Sequence, residues 1–320
     1  MVTGAKNISV QEKCTHRELW SEYSGKVDSN IYIINAVLNI VFCVPTFLIN
    51  LIMFVAVWRV SALHMPSNIL ICALATTNFF VGVASQPAFA INNLSIVVLH
   101  SVKCVTSYLN GALANLFCCM SLLIFTAISV DQFLMIHLHL RYNTLVTNKR
   151  TTFFLAALLF FSGVFTALNF FNQVVYVILL MMINCTCFIT TFVSYAKIYR
   201  TVIRHQQEIH DQAMAVATSG NSSSNNNNTV LELARFKKRA FNTLCIYIVF
   251  LSSYIPFLCS VVLLRSQRER AVLLLGVQNF AATIIFFNSL VNPLMICWKM
   301  RDIRNAMKRL VVRFVCKKQD

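Results

Sequence analysis

Apolar residues along this chain fall into long blocks, without the alternation of a half-buried strand. Seven blocks are long enough to cross about 30 Å of hydrocarbon as helices. They cover residues 32 to 57, 68 to 91, 105 to 130, 152 to 171, 174 to 199, 241 to 264 and 271 to 297. The fourth and fifth run together, since no charged residue falls between Arg150 and Lys197. A single helix of that length would overshoot any bilayer, so the chain must reverse near Asn169 to Gln173. The pattern predicts an all-α membrane protein. A seven-transmembrane helix bundle spans 32–297, after an N-terminal segment at 1–31 and before a short amphipathic eighth helix and tail at 298–320.

Charge between the blocks sets the expected orientation. Arg59, then Arg141, Lys149 and Arg150, then Arg200, Arg204, Arg235, Lys237, Lys238 and Arg239 fall on one side, and the tail adds eight more bases from Lys299 to Lys318. The loops on the other side carry Lys103, Arg265, Arg268 and Arg270. Short cytoplasmic loops are the basic ones, which places the N-terminus outside and the C-terminus inside, in a multi-pass protein of the plasma membrane. The third inner loop, about 200–240, holds a Ser/Asn tract at 218–229 that reads as disordered. Residues 1–30 lack an apolar core of signal-peptide type, so the first helix is expected to serve as the insertion signal.

Composition agrees. Apolar residues are 58% of the chain, charged residues 12%, and mean hydropathy is +0.67, a balance that no soluble domain could bury. The net charge of +16 is spread between the blocks, which argues against nucleic acid as a partner. Most of the twelve cysteines lie inside apolar blocks, where a thiol behaves as a small hydrophobe. No nucleophile-base pair, metal-ligand set or cofactor motif appears. His137 and His139 are two residues apart, on different faces of a helix, so an enzyme is not expected.

The polar residues inside the blocks include Asn50, Asn78, Ser121, Asn288, Ser289 and Asn292. In hydrocarbon such groups need partners, and a shared interior polar cluster is expected. At these residues the chain resembles the rhodopsin-like (class A) G protein-coupled receptors, from the first block to the tail. Asn50 in Leu48-Ile49-Asn50-Leu51 and Asn78 in Leu74-Ala75-Thr76-Thr77-Asn78 match the first- and second-helix motifs. Ser121-Leu122-Leu123 followed by Asp131-Gln132-Phe133 resembles the end of the third helix with its Asp-Arg-Tyr triplet. Tyr195 matches the fifth-helix tyrosine. Phe250-Leu251-Ser252-Ser253-Tyr254-Ile255-Pro256 resembles Phe-x-x-Cys-Trp-x-Pro, and Asn288-Ser289-Leu290-Val291-Asn292-Pro293-Leu294-Met295-Ile296 the seventh-helix Asn-Pro-x-x-Tyr.

The resemblance implies a cell-surface receptor that binds an extracellular ligand and couples to a heterotrimeric G protein. Four departures favour an alternative, a receptor fold that does not couple. Asn78 replaces an aspartate, which removes the charge that would hold sodium. Gln132 replaces an arginine and loses charge-assisted hydrogen bonding. Ile296 and Tyr254 replace a tyrosine and a tryptophan. The near-absent second outer loop without cysteine, and the fifth span without proline, resemble the melanocortin and cannabinoid receptor branch.

By the same resemblance the pocket falls among the outer halves of the third, fifth, sixth and seventh helices. The residues there are Ala114, Asn115, Cys118, Leu179, Ile183, Tyr254, Phe257, Leu258, Val261, Gln278, Ala282 and Phe286. None is acidic, and Ala114 stands where a monoamine receptor carries its carboxylate, so a non-aminergic, lipid-like ligand is expected. The alternative is that each of these side chains packs the bundle.

The sequons at Asn7 and Asn93 fall outside and are candidate glycosylation sites, whereas Asn184 lies within the fifth span. Cys14 and Cys104 are candidates for a bridge, with a free or otherwise paired thiol as the alternative. The segment 298–314 interleaves bases and apolar residues at helical spacing and is expected to lie on the inner leaflet among membrane lipids, with Cys316 as a palmitoylation candidate.

Overall fold

A polypeptide in hydrocarbon has no water to satisfy its N–H and C=O groups, and an α-helix satisfies them within the segment. The computed structural model describes residues 23, 26–59, 66–99, 104–138, 141–218, 248 and 252–316, and among these every regular element is helical. The spans are α1 (Ser29–Arg59), α2 (Pro66–Leu99), α3 (Cys104–Leu138), α4 (Asn148–Phe171), α5 (Gln173–Thr218), α6 (Tyr254–Ser266) and α7 (Ala271–Lys299), and α8 (Arg301–Cys316) follows. Among the described residues six helices are long and apolar enough to cross a membrane, and Tyr254–Leu264 is a shorter apolar helix. Most of the expected sixth span before Ser252, with Phe250, lies outside the described residues. The chain is a multi-pass membrane protein.

The reversal between the fourth and fifth spans is made by one residue. Asn172 leaves helical geometry at φ −149° and ψ 99°, and its N–H closes α4 on the Leu168 carbonyl. Its Oδ1 accepts from the N–H groups of Val174 (3.0 Å) and Val175 (3.1 Å), so the same side chain caps α5. At the start of α4, Thr147 Oγ1 accepts from the Arg150 N–H at 3.5 Å.

α2 is continuous but not uniform. Val81–Ser85 form a π turn between two α-helical stretches. Here α2 comes so close to α1 that a Cβ on Gly82 would stand 2.8 Å from the Phe47 nitrogen and 3.1 Å from the Cys43 oxygen, a distance only glycine accommodates. Beyond the turn α2 runs to Leu99 rather than ending near 91.

α5 also outruns its expected end. Its 46 residues continue to Thr218, so residues 200–218, expected as loop, are helix, of residues that favour helix and with an Arg204–Glu208 pair at 2.9 Å one turn apart. The tract at 219–229 lies outside the described residues.

α8 turns its apolar face onto the bundle. Ile303 and Ala306 are buried in one cluster with Met53, Ala56 and Val57 of α1 and Ile71 and Ala75 of α2. The outer faces of the spans carry large apolar side chains: Phe153 is 79% exposed, Phe160 76% and Phe192 59%, as befits a surface that meets lipid tails.

Asn172→Ala removes the cap of α5 and should lower stability by about 0.5–2 kcal/mol, whereas Asn172→Asp, which keeps the acceptor, should lose less. Thermal unfolding of the two variants in the same lipid checks it.

Candidate functional site

α3, α4, α5, α6 and α7 surround a partly open cavity in the half of the bundle where α5 and α7 begin. Nine of the expected residues line it: Ala114, Asn115, Cys118, Ile183, Tyr254, Phe257, Leu258, Ala282 and Phe286. Leu179 and Val261 instead pack beside the buried Phe165–Tyr176 cluster, and Gln278 is not among the lining residues. The sequence reading missed Cys119, Leu122, Phe165, Tyr176, Leu180, Asn184 and Ile285. Helical spacing from Cys118, Ile183 and Ala282 could have found several of these, but nothing in the sequence distinguishes Phe165 of α4 from its lipid-facing neighbours.

The cavity wall is apolar with a few neutral polar groups and no charged residue among those that line it. Tyr176 donates its phenol to Asn115 Oδ1 at 2.8 Å, tying α5 to α3. Asn184 donates to the Leu180 carbonyl at 2.8 Å, which leaves its buried Oδ1 unpaired. Tyr254 is 8% exposed and belongs to a core cluster with Met120, Leu122 and Ile285.

Deeper in, the interior amides act in pairs rather than as one cluster. Asn50 Nδ2 donates to the Thr46 carbonyl (2.8 Å) and across to the Ser289 carbonyl of α7 (3.0 Å). Ser121 of α3 donates toward Asn78 Oδ1 and Thr77 Oγ1 of α2, each at 3.1 Å. Asn288 of α7 donates to Ser253 Oγ at 2.5 Å, beside the first residue of α6. Asn292 is 3% exposed and its Nδ2 is unpaired, as are Asn50 Oδ1 and Asn78 Nδ2. The ring of Pro293 interrupts the hydrogen-bond ladder inside α7, and Pro256 lies in the first turn of α6 as described.

At the opposite end of the bundle from the cavity Asp131 is 6% exposed. Its carboxyl accepts from Ser67 Oγ at 2.6 Å and from the Tyr142 phenol at 2.7 Å, so α3, the start of α2 and the one-turn helix Tyr142–Leu145 are joined through one side chain. Burial first, and the Asp131 carboxyl beside it, push the Tyr142 phenol from its ordinary 10.0 up to about 12. Gln132 accepts from the Tyr195 phenol of α5 at 3.3 Å. Phe133 carries Lys197 Nζ over its ring at 5.3 Å and stacks on His137 at 5.4 Å. Ile296 packs against the clusters under α6 and α8.

One expected site is corrected. Asn93 is 0% exposed and paired with Asn279 of α7, donating to its Oδ1 at 2.9 Å. Because α2 continues to Leu99, this sequon is enclosed in helix and presents no amide to a glycosylating enzyme. Asn184 is buried as expected. Asn7 and Cys14 lie outside the described residues. Cys104 opens α3 and Cys316 closes α8.

Residues 49–178 match the family described as 7 transmembrane receptor (rhodopsin family). Melanocortin receptor 3 of Rattus norvegicus is 21% identical over 275 residues, 82% of this chain and 80% of that protein. Trace amine-associated receptor 9 of Homo sapiens is 24% identical over 288 residues, with 82% and 80% covered. Trace amine-associated receptor 7h of Rattus norvegicus is 25% identical over 295 residues, with 84% and 79% covered.

Tyr142→Phe leaves a buried oxygen of Asp131 without its donor and should cost about 1–3 kcal/mol, read by thermal unfolding. Because folding raises this phenol's pKa, its contribution to stability is complete below pH 10.0 and is lost as pH rises through about 12. The Phe variant should lack that alkaline loss.

Proposed function

We propose that the chain, which is similar to the rhodopsin-like seven-transmembrane receptors, is a divergent member of that family and a cell-surface receptor for an uncharged, largely apolar extracellular ligand, coupled to a heterotrimeric G protein. One observation carries the reading. Tyr254 lines the outer cavity, and the residue before it, Ser253, holds the hydrogen bond from Asn288 that joins α6 to α7. A ligand that displaces Tyr254 therefore acts on the contact between the start of α6 as described and α7, a two-state element biased by differential affinity.

The ligand class follows from the cavity wall. An ammonium buried there would meet no carboxylate among the lining residues, and Ala114 offers none, so a monoamine is disfavoured. Placement at the plasma membrane, with the N-terminus outside, rests on the basic inner loops and tail. Anionic head groups of the inner leaflet are natural partners for the bases of α8, and Cys316 at its end would add an acyl anchor.

A second reading, a receptor fold that does not couple, is favoured by Gln132. In place of an arginine it offers a neutral amide, which accepts from Tyr195. Nucleotide exchange by purified G proteins, measured with the wild-type chain and with Gln132→Arg in lipid nanodiscs, separates the two. Coupling requires exchange above the empty-disc rate in at least one of them, with the larger rate in Gln132→Arg. Silence of both across all G-protein families would leave only the non-coupling reading. Epitope tags at the two ends should be reached from opposite sides of intact cells.

A further inference from the structure

A groove separate from the cavity opens on the lipid-facing side of the bundle, and no residue lines both. Its walls come from the start of α1, from Pro256 of α6 and from one face of α7. Leu273, Val277, Phe280 and Ile284 follow one another at three- and four-residue steps, so they form a single stripe along α7, and all four are exposed. Along one edge α1 closes on α7: a Cβ added to Gly276 would stand 3.2 Å from Ile31 Cδ1.

Charge is confined to one end of the groove. Asp28, Glu269 and Arg270 are the charged members of the lining, all three exposed, and the rest of the lining is apolar. Their neighbours in the chain hold them in place. Val27, before Asp28, and Ala271, after Arg270, are buried in one cluster with Tyr32, Leu264 and Leu275. Asp28 Oδ1 also accepts from the Asn30 N–H at 2.9 Å at the start of α1.

The dimensions are those of one leaflet. From Arg270 to Ile284 the chain rises about 21 Å along α7, and half of a bilayer with its head groups is about 20–22 Å thick. Arg270 directly precedes the uncharged run of α7, which sets the three charges at the level where head groups meet hydrocarbon. An acyl chain that enters there reaches Ile284 and Pro256 near the midplane. With one cation and two carboxylates, the rim complements a head group that carries both a phosphate and an ammonium, and it disfavours one whose only charge is a phosphate.

We propose that this groove binds one zwitterionic glycerophospholipid of that leaflet. Its phosphate meets Arg270, its ammonium meets Asp28 and Glu269, and one acyl chain lies along the α7 stripe. The lipid bears on α6 at Pro256, two residues from the cavity-lining Tyr254, so lipid and cavity act on the same turn of α6 from opposite sides.

The test reconstitutes the full-length protein in nanodiscs of dioleoyl phosphatidylethanolamine and dioleoyl phosphatidylglycerol in equal amounts, and counts the retained lipid by native mass spectrometry. The two lipids share chains and phosphate and differ in the amine. Lipid held only by the apolar surface would be retained without regard to head group. The wild type should retain one phosphatidylethanolamine, in about two- to fivefold preference over phosphatidylglycerol. Asp28→Asn combined with Glu269→Gln should abolish that preference, while the Asn keeps a capping oxygen at the start of α1. Val277→Trp, on the exposed stripe, should fill the groove and release the lipid, and Leu273→Trp serves if that variant does not fold. Equal retention of the two lipids by the wild type, a preference that survives the double substitution, or retention unchanged by the tryptophan would each overturn the proposal. So would a wild type that retains no lipid, the outcome expected if residues 1–22 of the chain cover the groove.

Discussion

In the hydrocarbon interior of a bilayer a polar group has nothing to bond except the protein itself. That constraint explains both what is regular and what is unusual in this molecule. It makes every described element a helix. It also turns the buried amides into the joints of the bundle, because an Asn in a span must reach a neighbouring helix or accept a large penalty. Asn50 reaches the α7 backbone, Asn78 receives Ser121 of α3, Asn288 reaches Ser253 next to α6, and Asn93 finds Asn279. α7 takes part in three of these four joints, so it is the helix through which the outer and inner halves are held in register.

Two layers with different chemistry follow. The cavity is walled by apolar side chains with a few neutral polar groups and no charged residue among those that line it, so its wall offers few directional contacts. The inner end is organised around the Asp131 carboxyl, which gathers two hydroxyl groups from separate segments, while its neighbour Gln132 makes one neutral bond to α5. The carboxyl therefore anchors the Tyr142–Leu145 turn, and the Gln132–Tyr195 hydrogen bond between α3 and α5 rests on an amide that can be exchanged for water at low cost.

The spans were legible in the sequence because membrane thickness sets the length of an apolar block, and the reversal at Asn172 because the charge-free run was too long for one crossing. Asn50, Asn78, Ser121 and Asn288 were legible as interior joints, since an amide within an apolar block calls for a reason. Their partners were not, because pairing depends on rotation about the helix axis, and the spacing within one block does not fix which neighbour it faces. Most of the cavity was reached by resemblance, but Phe165 and Tyr176 were missed because an aromatic residue looks the same whether it meets lipid or the interior. Asn279 was passed over, and Asn93 was taken for a loop residue. The π turn at Val81–Ser85 breaks the regular 3.6-residue period, so the face that the outer part of α2 presents cannot be carried over from its inner part.

α5 has a mechanical consequence. At 46 residues it is about 70 Å long, more than twice the hydrocarbon thickness, so its C-terminal third extends beyond the length of one crossing as an unbroken rod. A tilt of a few degrees at the level of Tyr176 would sweep the far tip through several ångströms, as a lever multiplies the travel of its short arm. Any protein that approaches this end of the bundle must fit alongside the rod and would feel its swing before it touched the other helices.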